Sequence, residues 1–238
     1  MLCKKSLIVN DETQLLVLPH AVGSLGNYMK FKEVDNLHLI DYELPGRGHR
    51  LSEGIDDMNQ IINEVISCID FSNEYILFGH SMGAFIAYEI CSSIERRKLP
   101  KPNKLILSGQ NPPNLNNKFE EYKYYSIEDS IKYFKEMGGT SKEILNNTEL
   151  MSIYTDILNK DLNFLNMYLN NFEFKRLETN LEIWIGKEDK SIFTENCLDW
   201  RDFTSGNCKL LQFEGGHFFI NKLLSESKRL SVLLGIVM

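Results

Sequence analysis

The chain has 238 residues, 43% hydrophobic and 25% charged, with a formal net charge of −7. That length suits one large domain with a substantial core, and the acidic balance argues against a nucleic-acid partner, which needs a basic face. No stretch reaches the roughly 18 uninterrupted apolar residues of a membrane helix, and the N-terminal MLCKKSLIVNDETQ has neither the apolar core nor the small-residue cleavage site of a signal peptide.

A cytoplasmic protein without a membrane partner is therefore expected. The five cysteines, Cys3, Cys68, Cys91, Cys197 and Cys208, are odd in number and show no CxxC spacing, so neither a disulfide framework nor a zinc site is indicated. Free thiols in a reducing compartment are expected.

In chain order, short apolar runs at 14–19, 37–45, 75–79, 104–109, 181–186 and 209–213 have strand length, and most end at Pro or Gly. Helical spacing appears between them. Residues 56–69 carry Met58, Ile61, Ile62, Val65, Ile66 and Ile69 on one face, and residues 82–98 are apolar nearly all round at their start. Fully apolar strands alternating with helices predict an α/β fold, mainly a parallel sheet covered on both faces.

Residues 111–175 break the alternation. They hold no convincing strand, but two aromatic-rich helical stretches at 126–139 and 147–169, with partial helix-start signals at Ser126/Asp129 and Thr148/Met151. A helical lid inserted at about 115–175 into a single domain spanning 1–238 is expected, since such insertions often cover active sites. A purely structural helical layer is the other reading. The basic clusters ERRK (95–98) and SKR (227–229) read as the solvated late turns of helices, where cations suit the dipole.

The chemistry concentrates in Gly79-His80-Ser81-Met82-Gly83, a G-x-S-x-G match between a strand and a helix. A nucleophile on so sharp a turn needs small residues two positions away on either side. The helix start beneath it favours the negative charge of acyl transfer. A serine needs a base, and the base an orienting acid, in the chain order Ser, acid, His for this architecture.

Of His20, His38, His49, His80 and His217, only His217 follows Ser81, and it sits behind a Gly-Gly pair after the last strand. The acid should close an earlier strand. Asp189, three residues past Gly186, is favoured over its neighbour Glu188, with a solvated turn as the bland alternative. The Met82 N–H and the Ala21 N–H, in VLPHAVGS (17–24), are the candidate oxyanion donors, and His20 is given a positioning or structural role. No metal-ligand spacing is present.

The ordered set LPHAVGS, ELPGRGHRL, LFGHSMGAFIAYEI, LILSGQNPP, MGGTSKEIL, WIGKEDKSI and FEGGHFF resembles the type II thioesterases, stand-alone α/β-hydrolases that serve nonribosomal peptide and polyketide synthases. The resemblance runs along almost the whole chain. It implies a Ser81–His217–Asp189 triad, backbone oxyanion donors at Ala21 and Met82, and a helical lid. It implies hydrolysis of acyl groups from the phosphopantetheine arm of an acyl or peptidyl carrier protein, to clear misprimed or stalled synthases or release a product.

No cofactor is implied beyond the phosphopantetheine that the substrate carries, and a monomer is the default. One departure stands out: the family pattern after Pro-His is usually Ala-Gly-Gly, and here it is Ala21-Val22-Gly23. A medium-chain fatty acyl thioesterase, a general carboxylesterase or acyltransferase, and a non-catalytic carrier-binding protein are the alternatives.

Overall fold

The computed structural model describes residues 12–113 and 123–236. Each of the six apolar runs forms a strand: β1 (Thr13–Leu18), β2 (Leu37–Leu39), β3 (Tyr75–His80), β4 (Lys104–Ser108), β5 (Leu181–Gly186) and β6 (Cys208–Phe213). They make one sheet in the order β2-β1-β3-β4-β5-β6, with every pair parallel. Leu16 lies opposite Leu77 and Leu77 opposite Leu105, so the central strands run in register through the core.

Successive residues of these strands serve opposite faces. Leu16, Leu18, Tyr75, Leu77, Leu105, Leu107, Ile183 and Ile185 join one buried cluster, whereas Leu15, Val17, Ile76, Phe78, Ile106 and Trp184 join another. This is why the runs show no polar alternation: both faces are dry. Each fully enclosed Leu, Ile or Phe contributes about 1.5–3 kcal/mol of transfer free energy.

The first face is covered by α1 (Met58–Cys68) and α2 (Met82–Arg96). The second is covered by a 3-10 segment, Leu25–Glu33, and by α7 (Phe219–Leu223) and α8 (Ser227–Leu234) near the C-terminus. The expected strand at 37–45 stops at Leu39. Ile40, Tyr42 and Leu44 are still buried and pack against the helical face; the Ile40 N–H makes a last bond to Leu15 O of β1 at 2.9 Å, and the chain then leaves the strand.

Between β4 and β5 stand α3 (Ile127–Met137), α4 (Lys142–Leu145) and α5 (Thr148–Asn170); α6 (Thr194–Cys197) follows β5. Ser126 caps α3 in a reciprocal box with Asp129. The cap of α5 is Asn147, whose side chain accepts from Glu149 N and Leu150 N, and Thr148 is already helical. The amide carbonyl outcompetes the hydroxyl one residue on.

The SKR cluster opens α8 instead of closing a helix, and Arg229 pairs with Glu226 at 2.9 Å. Cys68 is disulfide-bonded, against the expectation of free thiols throughout; Cys91, Cys197 and Cys208 are free.

α5 has two halves. Phe164, Leu165, Tyr168 and Leu169 pack on the main core beside α2, with the Phe85 and Tyr168 rings 5.7 Å apart. Met151 and Leu158 form a smaller cluster with Phe134 of α3, joined by Tyr133, Ile144, Tyr154 and Leu162. Among the described residues of that cluster, Val22 alone comes from outside the inserted segment.

Candidate active site

Ser81 sits at the turn between β3 and α2 with φ 54° and ψ −120°, a left-handed conformation that L side chains avoid. Holding it there costs on the order of 1–3 kcal/mol. Two backbone bonds oppose that cost: Ser81 N donates to Ser108 O at 2.7 Å, and Ala84 N donates to Ser81 O at 2.9 Å.

The flanking glycines are required by space. A Cβ on Gly79 would lie 2.1 Å from Gly83 O, and one on Gly83 would lie 2.0 Å from Leu18 O. Met82 is the first residue of α2, where backbone N–H groups lack intrahelical acceptors.

Asp189 and His217 meet. Both are buried, and the imidazole Nδ1 donates to Asp189 Oδ2 at 2.7 Å. That bond fixes the proton on Nδ1 and leaves Nε2 as the basic nitrogen. Burial pushes the Asp189 carboxyl up, but bonds from His217 and Ser191 outweigh it and hold the carboxyl below its ordinary 3.8. Glu188 is exposed, and its backbone N–H donates to Gly215 O at 3.0 Å.

Ser81 and His217 line one cavity of about 110 Å³, together with Ala21, His20, Phe134 and Met137. No hydrogen bond joins the Ser81 hydroxyl to His217 here. Such bonds tighten when substrate occupies the site.

Ala21 belongs to a turn closed by Gly23 N donating to His20 O at 2.9 Å. The third residue of that turn, Val22, has φ 67°. The usual family glycine would adopt this conformation freely, whereas a β-branched residue there is an outlier.

Three groups escaped the sequence reading. Ser191 donates its hydroxyl to Asp189 Oδ1 at 2.6 Å and lies 3.3 Å from His217 Nδ1; its place two residues after the acid in EDKSI was the available signal. His80 is wholly buried, 5.1 Å ring to ring from His217 and 5.9 Å from His20. Its Nδ1 meets Ser108 Oγ at 2.8 Å, and its Nε2 has no partner among the described residues.

The third group is the buried pair Arg47–Asp161, whose guanidinium and carboxylate are joined at 2.6 and 2.9 Å. Asp161 was legible only as a charge between Leu158 and Phe164 on the apolar side of α5. His20, given a positioning or structural role, has its Nδ1 2.9 Å from Tyr28 Oη and its ring against Phe218.

A parallel sheet, a serine on a strained strand-to-helix turn and a His–Asp pair beyond β5 and β6 define an α/β-hydrolase. Residues 13–231 match the Thioesterase domain model, and the chain belongs to that family. It is 29% identical over 216 residues to the medium-chain S-acyl fatty acid synthase thioesterase of Homo sapiens, covering 87% of this chain and 80% of that one. It is 26% identical over 220 residues to Thioesterase PikA5 of Streptomyces venezuelae, covering 89% and 77%. Among solved structures, the RedJ thioesterase from the prodiginine biosynthetic pathway in Streptomyces coelicolor superposes with a TM-score of 0.80 at 24% identity, over 91% of this chain and 90% of that one.

Proposed function

We propose that this thioesterase removes acyl groups from the phosphopantetheine arm of an acyl or peptidyl carrier protein, editing misprimed or stalled synthase modules. The observation that carries the reading is the His217–Asp189 contact at 2.7 Å, facing the same cavity as a serine held at φ 54°.

His217 Nε2 takes the Ser81 proton as Oγ attacks the thioester carbonyl. The Ala21 and Met82 N–H groups receive the oxyanion. The C–S bond breaks, and the thiolate leaves with the proton from His217. Water, deprotonated by His217, then attacks the acyl-enzyme and returns Ser81 and a free acid. Asp189 holds the imidazole tautomer throughout.

The scheme needs no metal or cofactor, because phosphopantetheine arrives with the substrate. Helices α3 to α5 serve in it as a lid, and the chain works as a cytoplasmic monomer. The Cys68 disulfide is the feature least at home in a reducing compartment.

Similarity to the human medium-chain enzyme favours a second reading, a fatty acyl carrier thioesterase on the same machinery. One assay addresses both: thiol release from carriers loaded with acetyl to dodecanoyl groups, run beside p-nitrophenyl esters, with Ser81→Ala as control. Fast turnover of short acyl carriers, abolished by Ser81→Ala, is expected. A preference for decanoyl or dodecanoyl groups would favour the fatty acyl reading, and turnover of simple esters alone would overturn both.

A further inference from the structure

The departure at Val22 has a counterpart in the inserted helices. Val22 N donates to Asp161 Oδ2 at 2.6 Å, across 139 positions of chain. The same carboxylate receives both terminal nitrogens of Arg47, Nη1 at 2.9 Å and Nη2 at 2.6 Å. Arg47 in turn donates to Gly23 O at 3.3 Å and Pro45 O at 3.1 Å. Arg47 is 1% exposed and Asp161 is fully buried. The Val22 side chain also enters the insertion's own apolar cluster, beside Phe134, Met151 and Leu158.

A buried ion pair is weak evidence for stability, because desolvation offsets its attraction. Here it has a geometric consequence. The His20–Gly23 turn needs a positive φ at its third position, which Gly or Asn supplies and a β-branched residue resists. Its one internal bond, Gly23 N to His20 O, leaves the Ala21–Val22 peptide free to rotate. The carboxylate holds that peptide by its N–H, and the apolar cluster holds the side chain.

We propose that Asp161 is the positioning residue of the oxyanion turn: from α5 it fixes the Val22 N–H, and with it the turn that carries the Ala21 amide, so that seating of the inserted helices and assembly of the oxyanion site are one event. The carboxylate touches no substrate and acts only through Val22. The proposal rests on the acyl-enzyme reading for its kinetic consequence, but the coupling of α5 to the turn is independent of it.

The test compares wild type, Asp161→Asn, Val22→Gly and the double variant. It reads kcat and KM on a p-nitrophenyl ester and an acyl-phosphopantetheine thioester, together with amide hydrogen exchange over residues 20–23. Losing full use of one oxyanion donor should lower kcat of Asp161→Asn by about tenfold to a hundredfold with KM little changed. The Val22 amide should exchange faster while β3 and α2 keep their protection.

With glycine at position 22 the positive φ carries no strain and the carboxylate has less to hold against, so the Asp161→Asn penalty should shrink several-fold; a merely structural pair would give the same penalty in both backgrounds. Should Asp161→Asn fail to fold, Arg47→Met with Asp161→Leu removes both charges together and carries the same comparison. Equal penalties in the two backgrounds, or unchanged exchange at residues 20–23, would overturn the proposal. A wild-type protein silent on every ester and thioester would instead defeat the acyl-enzyme reading, and the exchange measurement would still decide the role of Asp161.

Discussion

The Ser191 hydroxyl donates to Asp189 Oδ1 at 2.6 Å while His217 Nδ1 donates to Asp189 Oδ2 at 2.7 Å, so each oxygen of one buried carboxylate has its own partner. The Ser191 N–H adds a third bond, to Oδ1, at 3.0 Å. A carboxylate held at both oxygens cannot swing, and the imidazole inherits that fixity. Ser191→Ala keeps the backbone bond and loses the hydroxyl. It should lower kcat by about threefold to tenfold, roughly 1 kcal/mol of barrier and so a part of the roughly 1.5–3 kcal/mol that a hydrogen bond to a charged group is worth, with KM unchanged. Steady-state kinetics on one thioester checks this.

Asp189→Asn tests the acid itself. The amide can present an N–H to Nδ1 and stabilise the wrong imidazole tautomer, a change worth about 10⁴ in kcat in a serine hydrolase triad. Glu188→Gln, at an exposed neighbour, should leave kcat within about twofold, as surface substitutions do. Burst kinetics with a chromogenic ester separates acylation from deacylation, and both should slow in Asp189→Asn. The reverse ranking of the two variants would reassign the acid.

The histidine cluster predicts acid lability. Burial, and then the charges of His217 and His20, hold His80 well below the ordinary 6.5 of an imidazole. Burial, then His217 and Arg47, lowers His20 to about 3. His20 keeps an edge open on the cavity, so the enclosed His80 carries the firmer shift. Between 6.5 and these folded values the unfolded chain binds a proton that the folded chain refuses. The stability these groups contribute is therefore complete above about pH 6.5 and is lost progressively as the pH falls below it, for His20 toward about 3, by up to about 1.4 kcal/mol per pH unit for each histidine. Denaturant unfolding from pH 7.5 to 4.5 should show that slope. His80→Asn, whose amide can keep the bond to Ser108, should flatten it by about one proton's worth.

Much of this was open to reading in the sequence, for reasons that also mark where reading stopped. The strands were legible because both of their faces are dry, and the elbow because only glycine fits at 79 and 83. The second strand was overread past Leu39, because Ile40, Tyr42 and Leu44 keep strand-like burial after the last bond to β1, from Ile40 N to Leu15 O. Asp189 could be chosen over Glu188 from its position after β5. The clasp of Asp161 on Val22 could not be found, since it joins residues 139 apart and local pattern carries no trace of such a contact. The unusual valine was visible, but the positive φ that makes it matter is a tertiary property.

Chain-length selection should reside in the residues that the inserted helices bring over Ser81. Phe134 and Met137 of α3 line the cavity beside Tyr154 of α5, and the enclosed space is about 110 Å³. Phe134 is also a buried member of the insertion's core, so truncating it to alanine would cost about 3–5 kcal/mol of stability and confuse the result. Met137 is half-buried and outside that cluster, and a flexible thioether can be shortened at little cost. Met137→Ala should therefore raise kcat/KM for hexanoyl or octanoyl thioesters relative to acetyl. Each further methylene accommodated is worth about 0.8 kcal/mol, or roughly fourfold, so a two-carbon extension should shift the ratio by about fifteenfold. Phe134→Leu, milder in volume, should move it in the same direction with a smaller stability cost. Competition between acetyl and octanoyl carrier thioesters in one reaction gives the ratio directly. An unchanged ratio in both variants, with the folded state intact by thermal melt, would make the inserted helices a structural layer and place the selectivity elsewhere.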